Sequence, residues 1–169
     1  MNKIQTAKRL WSVLTVLVFT AYASLAQEPT GPVILEVSGT PNTSTDATRF
    51  DRAMLEELGT VEIVTDTPWT EGSIVFSGVL LRDVLDIADA KSGYVRAIDL
   101  NDYAVDIPLS DVTDYDVILA LQRDGKYLTV RDKGPLWVIY PWSDEPALRT
   151  QLHYSRSIWQ LNKLEFEVD

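Results

Sequence analysis

Hydrophobic and polar positions follow three different patterns along this chain. From Leu10 to Leu25 they form an apolar run of about 16 residues, interrupted by Ser12, Thr15 and Thr20 and preceded by the basic residues Lys3, Lys8 and Arg9. Spanning a bilayer takes about 20 apolar residues. The small residues Ser24 and Ala26 flank a cut before Gln27, so the pattern predicts a cleavable export signal over 1–26. Period-two alternation then predicts strands at Val33–Val37, Val61–Thr65, Ile74–Phe76, Tyr94–Ile98, Ala104–Pro108, Val117–Gln122, Lys126–Val130, Leu136–Tyr140 and Leu164–Val168. Asp124-Gly125 marks a tight hairpin turn, and Asp99–Tyr103 is a second polar turn. Helical spacing occurs twice. Phe50, Ala53, Met54 and Leu58 predict a helix over Thr48–Leu58, capped by Asp46 and stopped by Gly59, and Leu80–Ala88 predicts another. Residues 27–32 read as a linker and Pro141–Gln151 as irregular. The sum is a single mixed α+β domain over 27–169 with many strands and two short helices.

Charge narrows the possible partners. Cleavage after Ala26 removes three of 15 basic residues and none of 25 acidic ones, leaving 143 residues with a net charge of −13. Phosphate backbones and anionic lipid headgroups repel such a surface, so nucleic acid is not expected as a partner, and nothing in the mature chain is long and apolar enough to embed it in a membrane. The chain has no cysteine, which excludes disulfides, thiolate ligands and a thiol nucleophile. It also lacks Gly-x-Gly-x-x-Gly, a Walker loop and a Gly-x-Ser-x-Gly elbow. A single histidine, His153, rules out a multi-histidine metal site.

Two clusters remain as candidate chemistry. Asp99, Asp102 and Asp106 lie close in sequence, without the glycine and terminal glutamate of a calcium loop. Between Arg123 and Arg156, six basic residues outnumber four acidic ones in an otherwise acidic chain, and Trp137, Tyr140, Trp142 and Tyr154 fall in the same stretch, with Trp159 just beyond. Trp69 and Trp142 adjoin prolines in loops, where a ring is available to a ligand. Flat aromatics, a few cations and a carboxylate together suit a planar, nitrogen-rich heterocycle.

The order Phe76-x-Gly78-Val79-x-Leu81-x-x-Val84-Leu85, Asp102-Tyr103-x-x-x-Ile107-Pro108-Leu109, Leu119-Ala120-Leu121-x-x-Asp124-Gly125-x-x-Leu128, Gly134-Pro135-Leu136-Trp137-x-x-x-Pro141, Arg156-Ser157-Ile158-Trp159 and Leu164-Glu165-Phe166 resembles the molybdopterin-binding domain of the sulfite oxidase family, from about Val33 to Val168. The resemblance implies the mixed α+β sulfite oxidase fold. It also exposes departures. Family enzymes anchor molybdenum with a cysteine at the end of the strand before the Gly-Val-x-Leu motif, where this chain reads Val64-Thr65-Asp66-Thr67. A histidine before the Gly-Pro-Leu element and an arginine after it are replaced by Asp132 and Trp137.

These departures imply a free pterin in place of a metal-bound one: Asp132 would accept from its guanine-like edge and Trp137 would stack on its face. Arg156 and Ser157 match a cofactor-contacting element, with Tyr154 beside them. Trp69 and Lys133 complete the expected ligand-binding set. Small cysteine-lacking members of the family resemble periplasmic pterin-binding sensors that act on the periplasmic domain of a membrane-bound diguanylate cyclase or phosphodiesterase. The resemblance therefore implies a periplasmic, non-catalytic regulator with a tetrahydropterin-type ligand and no molybdenum. The alternatives are an oxidoreductase holding its metal without cysteine, and a ligand-free interaction module.

Overall fold

Ten strands pair into one mixed sheet that curls around its core in the computed structural model, which describes residues 28–39, 47–87 and 93–166. In chain order they are β1 (Val33–Ser38), β2 (Thr48–Asp51), β3 (Val61–Thr65), β4 (Ile74–Leu80), β5 (Tyr94–Asp99), β6 (Ala104–Pro108), β7 (Ile118–Arg123), β8 (Lys126–Tyr127), β9 (Leu136–Ile139) and β10 (Trp159–Phe166). Four short helices sit between them: α1 (Arg52–Glu57), α2 (Leu81–Ile87), α3 (Leu109–Asp114) and α4 (Gln151–Arg156). The main path runs β2-β1-β10-β9-β7-β4-β3, with β5 and β6 branching from β10 and β8 from β7. Only β1 and β10 pair in parallel.

β7 and β9 are central. All four residues of β9 and the first four of β7 are buried, as continuous apolar runs covered on both faces require. β4 lies against β7 through a register shift at Ser77/Gly78, and a Cβ at Gly78 would stand 2.1 Å from the Leu119 carbonyl oxygen. The glycine of the Gly-Val-x-Leu motif is thus a requirement of strand approach. β10 has three partners. Its beginning pairs with β9, its later half with β1, and β5 follows its other edge. Gln160, at φ 53°, forms the bulge that makes this change of partner possible and turns Trp159 out of the regular register.

Most predicted strands occur, with corrected bounds. The predicted helix Thr48–Leu58 is divided: Thr48–Asp51 is strand β2, and α1 begins only at Arg52. Asp51, not Asp46, is the cap, because its carboxylate accepts from Met54 N at 2.9 Å. Asp46, Ala88, Val168 and the predicted export signal lie outside the described residues. Gly59 ends α1 at φ 101°, as expected. The expected strand Lys126–Val130 stops at Tyr127, giving way to a 3-10 turn at Val130–Asp132. Neither α3 nor α4 was expected, α4 starting at the last residue of the irregular stretch, and the closing strand starts at Trp159 rather than Leu164.

Asp51 also binds the chain's entry: its Oδ2 accepts from Gly31 N at 2.7 Å and Thr30 N at 2.8 Å. The amide N–H groups of Met54 and Gly31 hold its carboxyl below the ordinary carboxylate range. Because folding lowers this pKa, Asp51 adds stability above the unfolded value and loses it as pH falls through the folded one. In acid titrations followed by circular dichroism, Asp51→Asn should therefore flatten the loss of stability between about pH 5 and pH 1. Gly78→Ala should cost at least about 2 kcal/mol in denaturant unfolding, since only backbone movement can relieve the contact with Leu119.

Candidate functional site

The ends of three segments enclose a cavity of about 450 Å³, within the range typical of small-molecule sites. Trp69 comes from the loop between β3 and β4. Asp99 and Tyr103 come from the turn between β5 and β6. Helix α4 supplies Gln151, Tyr154 and Ser155, and the segment from Ser157 to Trp159 leads from α4 into β10.

Trp69 is the hub of the aromatic wall. Its ring lies 5.5 Å from Trp159, 5.9 Å from Trp137, 6.1 Å from Tyr154 and 6.2 Å from Trp142, mostly edge to face. Its loop is fixed at both levels. Trp69 N donates to Thr67 Oγ1 at 3.1 Å, and Thr67 Oγ1 lies 2.9 Å from Thr70 Oγ1. Asp66 then holds Arg149 through two hydrogen bonds of 2.7 and 3.0 Å and accepts from Ser143 Oγ at 2.8 Å. The Ser143 hydroxyl and the Arg149 guanidinium keep the Asp66 carboxyl below its ordinary range. Buried Thr65 joins the same network, donating to Asp66 O and accepting from Ser143 N.

The residues expected from sequence divide into groups. Trp69, Tyr154 and Ser157 line the cavity. Trp137 does not offer a stacking face. It is completely buried in β9, behind Trp69 and Trp159, and its Nε1 donates to Ser157 Oγ at 3.1 Å. Asp132 does not reach the cavity either. Its carboxylate accepts from Thr129 Oγ1 at 2.7 Å, closing the 3-10 turn, and it borders a separate depression beside Arg123 and Lys126. Arg156 is committed to Asp111 at 2.8 Å, where Tyr140 OH also donates at 2.9 Å. Burial, and then this carboxylate, push the Tyr140 hydroxyl's pKa well up. Lys133 lies 3.6 Å over the Trp159 ring, and burial, with Arg123 nearby, pulls its pKa down. Trp142, expected to be available in its loop, is 1% exposed because Trp69, Tyr140 and Tyr154 cover it.

His153 Nδ1 lies 2.9 Å from Thr150 Oγ1, whose hydroxyl also caps α4. The acidic cluster is dispersed. Asp106 pairs with Arg96, Asp99 faces the cavity, and among the described residues no three acidic or histidine side chains converge on a metal-sized space. Sequence reasoning placed Asp99 in that cluster and left Tyr103 and Gln151 unassigned. The signal for Asp99 is its position just before a polar turn, where an aspartate caps backbone N–H groups.

A family model, the oxidoreductase molybdopterin binding domain, matches residues 44–143. The chain belongs to that molybdopterin-binding family. Its fold is similar to that of the sulfane dehydrogenase SoxCD from Paracoccus pantotrophus, with a TM-score of 0.53 and 17% identity. That match covers 79% of this chain and 37% of the other, so the chain spans little more than a third of that protein's length. No curated protein matches.

The family's ligand tests the donor set. An aromatic cavity with a carboxylate fits the flat, donor-edged pterin ring of molybdopterin. The metal end finds no thiolate, since the chain has no cysteine. In the stretch where the resemblance puts that ligand, Thr65 and Asp66 are already engaged by Ser143 and Arg149. Among the described residues, no lysine or arginine lines the cavity to meet a terminal phosphate. If the Asp66 network fixes the tryptophan hub, Arg149→Ala should alter the near-ultraviolet circular dichroism of the aromatic cluster while leaving the far-ultraviolet spectrum intact. An unchanged near-ultraviolet spectrum would show that the loop is held by other contacts.

Proposed function

We propose that this domain is a periplasmic pterin-binding sensor, with a tetrahydropterin-type ligand, no molybdenum and no catalysis of its own. The observation that carries the reading is the cavity itself: aromatic rings from Trp69, Tyr154 and Trp159 around a space of about 450 Å³ that also holds the Asp99 carboxylate, in a chain without cysteine. Such walls suit a flat heterocycle by stacking, at roughly 1–3 kcal/mol for each base-like contact. With the thiolate missing and the neighbouring polar groups mutually bonded, metal chemistry has no anchor from the protein.

The output follows from the resemblance and the predicted export signal. Ligand occupancy is communicated to the periplasmic domain of a membrane-bound diguanylate cyclase or phosphodiesterase. Binding energy that orders the walls of the cavity is available to bias the surface around its mouth, where Tyr103 is 56% exposed.

Once 1–26 are removed, the remaining tryptophans are Trp69, Trp137, Trp142 and Trp159, all in one cluster. Intrinsic fluorescence therefore reports on the cavity directly. Titration with reduced and oxidised pterins should give saturable quenching, with Trp69→Ala and Trp159→Ala each weakening affinity about tenfold. Asp132→Ala should bind within about twofold of the parent. Absence of saturable binding, or stoichiometric molybdenum in protein from its own host, would overturn the reading.

A further inference from the structure

Asp99 is 7% exposed and, among the described residues, is the only formally charged side chain lining the cavity. Its position is fixed by its own turn. Oδ1 accepts from Asn101 N at 2.7 Å and Tyr103 N at 3.0 Å, Asp99 N donates to Tyr103 O at 2.9 Å, and Asp99 O accepts from Asp102 N at 3.1 Å. Among the described residues Oδ2 has no partner, and no cation of theirs lines the cavity to neutralise it. A carboxylate offers about four acceptor positions. Two are taken on Oδ1, so those of Oδ2 are left for a ligand.

We propose that Asp99 is the specificity-determining residue of the cavity, its Oδ2 selecting planar heterocycles with a 2-amino-4-oxo pyrimidine edge, such as pterins and guanine, over 2,4-dioxo analogues. This rests on the cavity being the heterocycle site argued above. The 2-amino group and the adjacent ring N–H are both donors, and they meet the free acceptors of Oδ2. In a lumazine, the 2-oxo group puts an acceptor where the amino donor was, leaving the carboxylate facing an oxygen. A site built to hydrogen-bond a ligand N–H discriminates strongly against an analogue lacking it. The cavity's lack of lysine and arginine selects in the same direction, against phosphorylated forms.

The test compares a reduced pterin with the matching lumazine, and with guanosine, by fluorescence titration near neutral pH on the parent chain and on Asp99→Asn. Asparagine keeps Oδ1 for the two turn N–H groups and replaces Oδ2 with a donor, so the turn is retained while the basis of the edge preference is removed. The parent should favour the pterin over the lumazine by at least about tenfold, the size expected for one charge-assisted hydrogen bond. Asp99→Asn should lose that preference, whereas Trp69→Ala should weaken both ligands alike. Equal affinities in the parent would overturn the role of Asp99 without any variant, and so would a preference that survives in Asp99→Asn while the pterin still binds. If neither heterocycle binds, the pterin reading fails and this assignment with it. Tighter binding of guanosine than of pterin would uphold Asp99 and give the edge to a nucleoside.

Discussion

Of the two tryptophans buried in the core, Trp142 leaves its indole N–H without an acceptor among the described residues, whereas Trp137 finds one, as buried indoles usually do, and the geometry of the cavity depends on how it does so. Its Nε1 donates to Ser157 Oγ, and Ser157 Oγ donates in turn to Val138 O at 2.6 Å. Val138 N closes the link onto Ile158 O at 2.9 Å. The segment between α4 and β10 is thereby stitched to β9 before the Gln160 bulge. Trp159 follows directly, meeting Trp69 at 5.5 Å and Trp137 at 6.3 Å, both edge to face. The residue that sequence comparison put against the ligand is thus the beam behind the wall, and the wall is made by the rings packed on it.

Much of the sheet was legible because alternation reports directly which face of a strand is buried. Val61–Thr65 and Ala104–Pro108 carry the predicted bounds, and β5 departs by one residue. What failed was local competition. Phe50 fits both a helical and a strand pattern, and pairing with β1 decided in favour of the strand. α4 escaped notice because none of its residues is fully buried and its one aliphatic side chain, Leu152, is exposed, so no apolar period marks it; only Thr150 as a cap would have betrayed it. The site was half legible. Trp69, Tyr154 and Ser157 were found because aromatics and motif neighbours signal a site. Asp99 was overlooked because a carboxylate's partners are set by tertiary placement, and in sequence it looked like one acid among several.

The cations show the same displacement of role. Arg156 and Lys133 were expected to meet a ligand, yet each is occupied by the protein. Arg156 bonds Asp111 of α3, in a pair whose side chains are 16% and 10% exposed, and so ties α4 to the fold. Losing one partner of such a buried pair leaves the other unpaired, typically a cost of about 3–5 kcal/mol. Since α4 contributes Tyr154 and Gln151, this ion pair positions a wall of the cavity rather than a ligand. Lys133 is drawn onto the face of Trp159, where the ring's electrons meet its charge at 3.6 Å.

With those cations withdrawn, the field inside the cavity is set by Asp99 alone among the groups that line it. The surrounding chain is acidic, so an anionic ligand would enter against both the local and the global charge. A neutral ring with a donor edge has neither obstacle, and it gains where water is poorest: stacking on the aromatic walls and hydrogen bonding to a pre-fixed carboxylate. Where the resemblance puts a metal ligand, the polar groups bond one another through Thr65, Asp66, Ser143 and Arg149, and that network holds the loop bearing Trp69. That stretch thus serves the ring that walls the pocket.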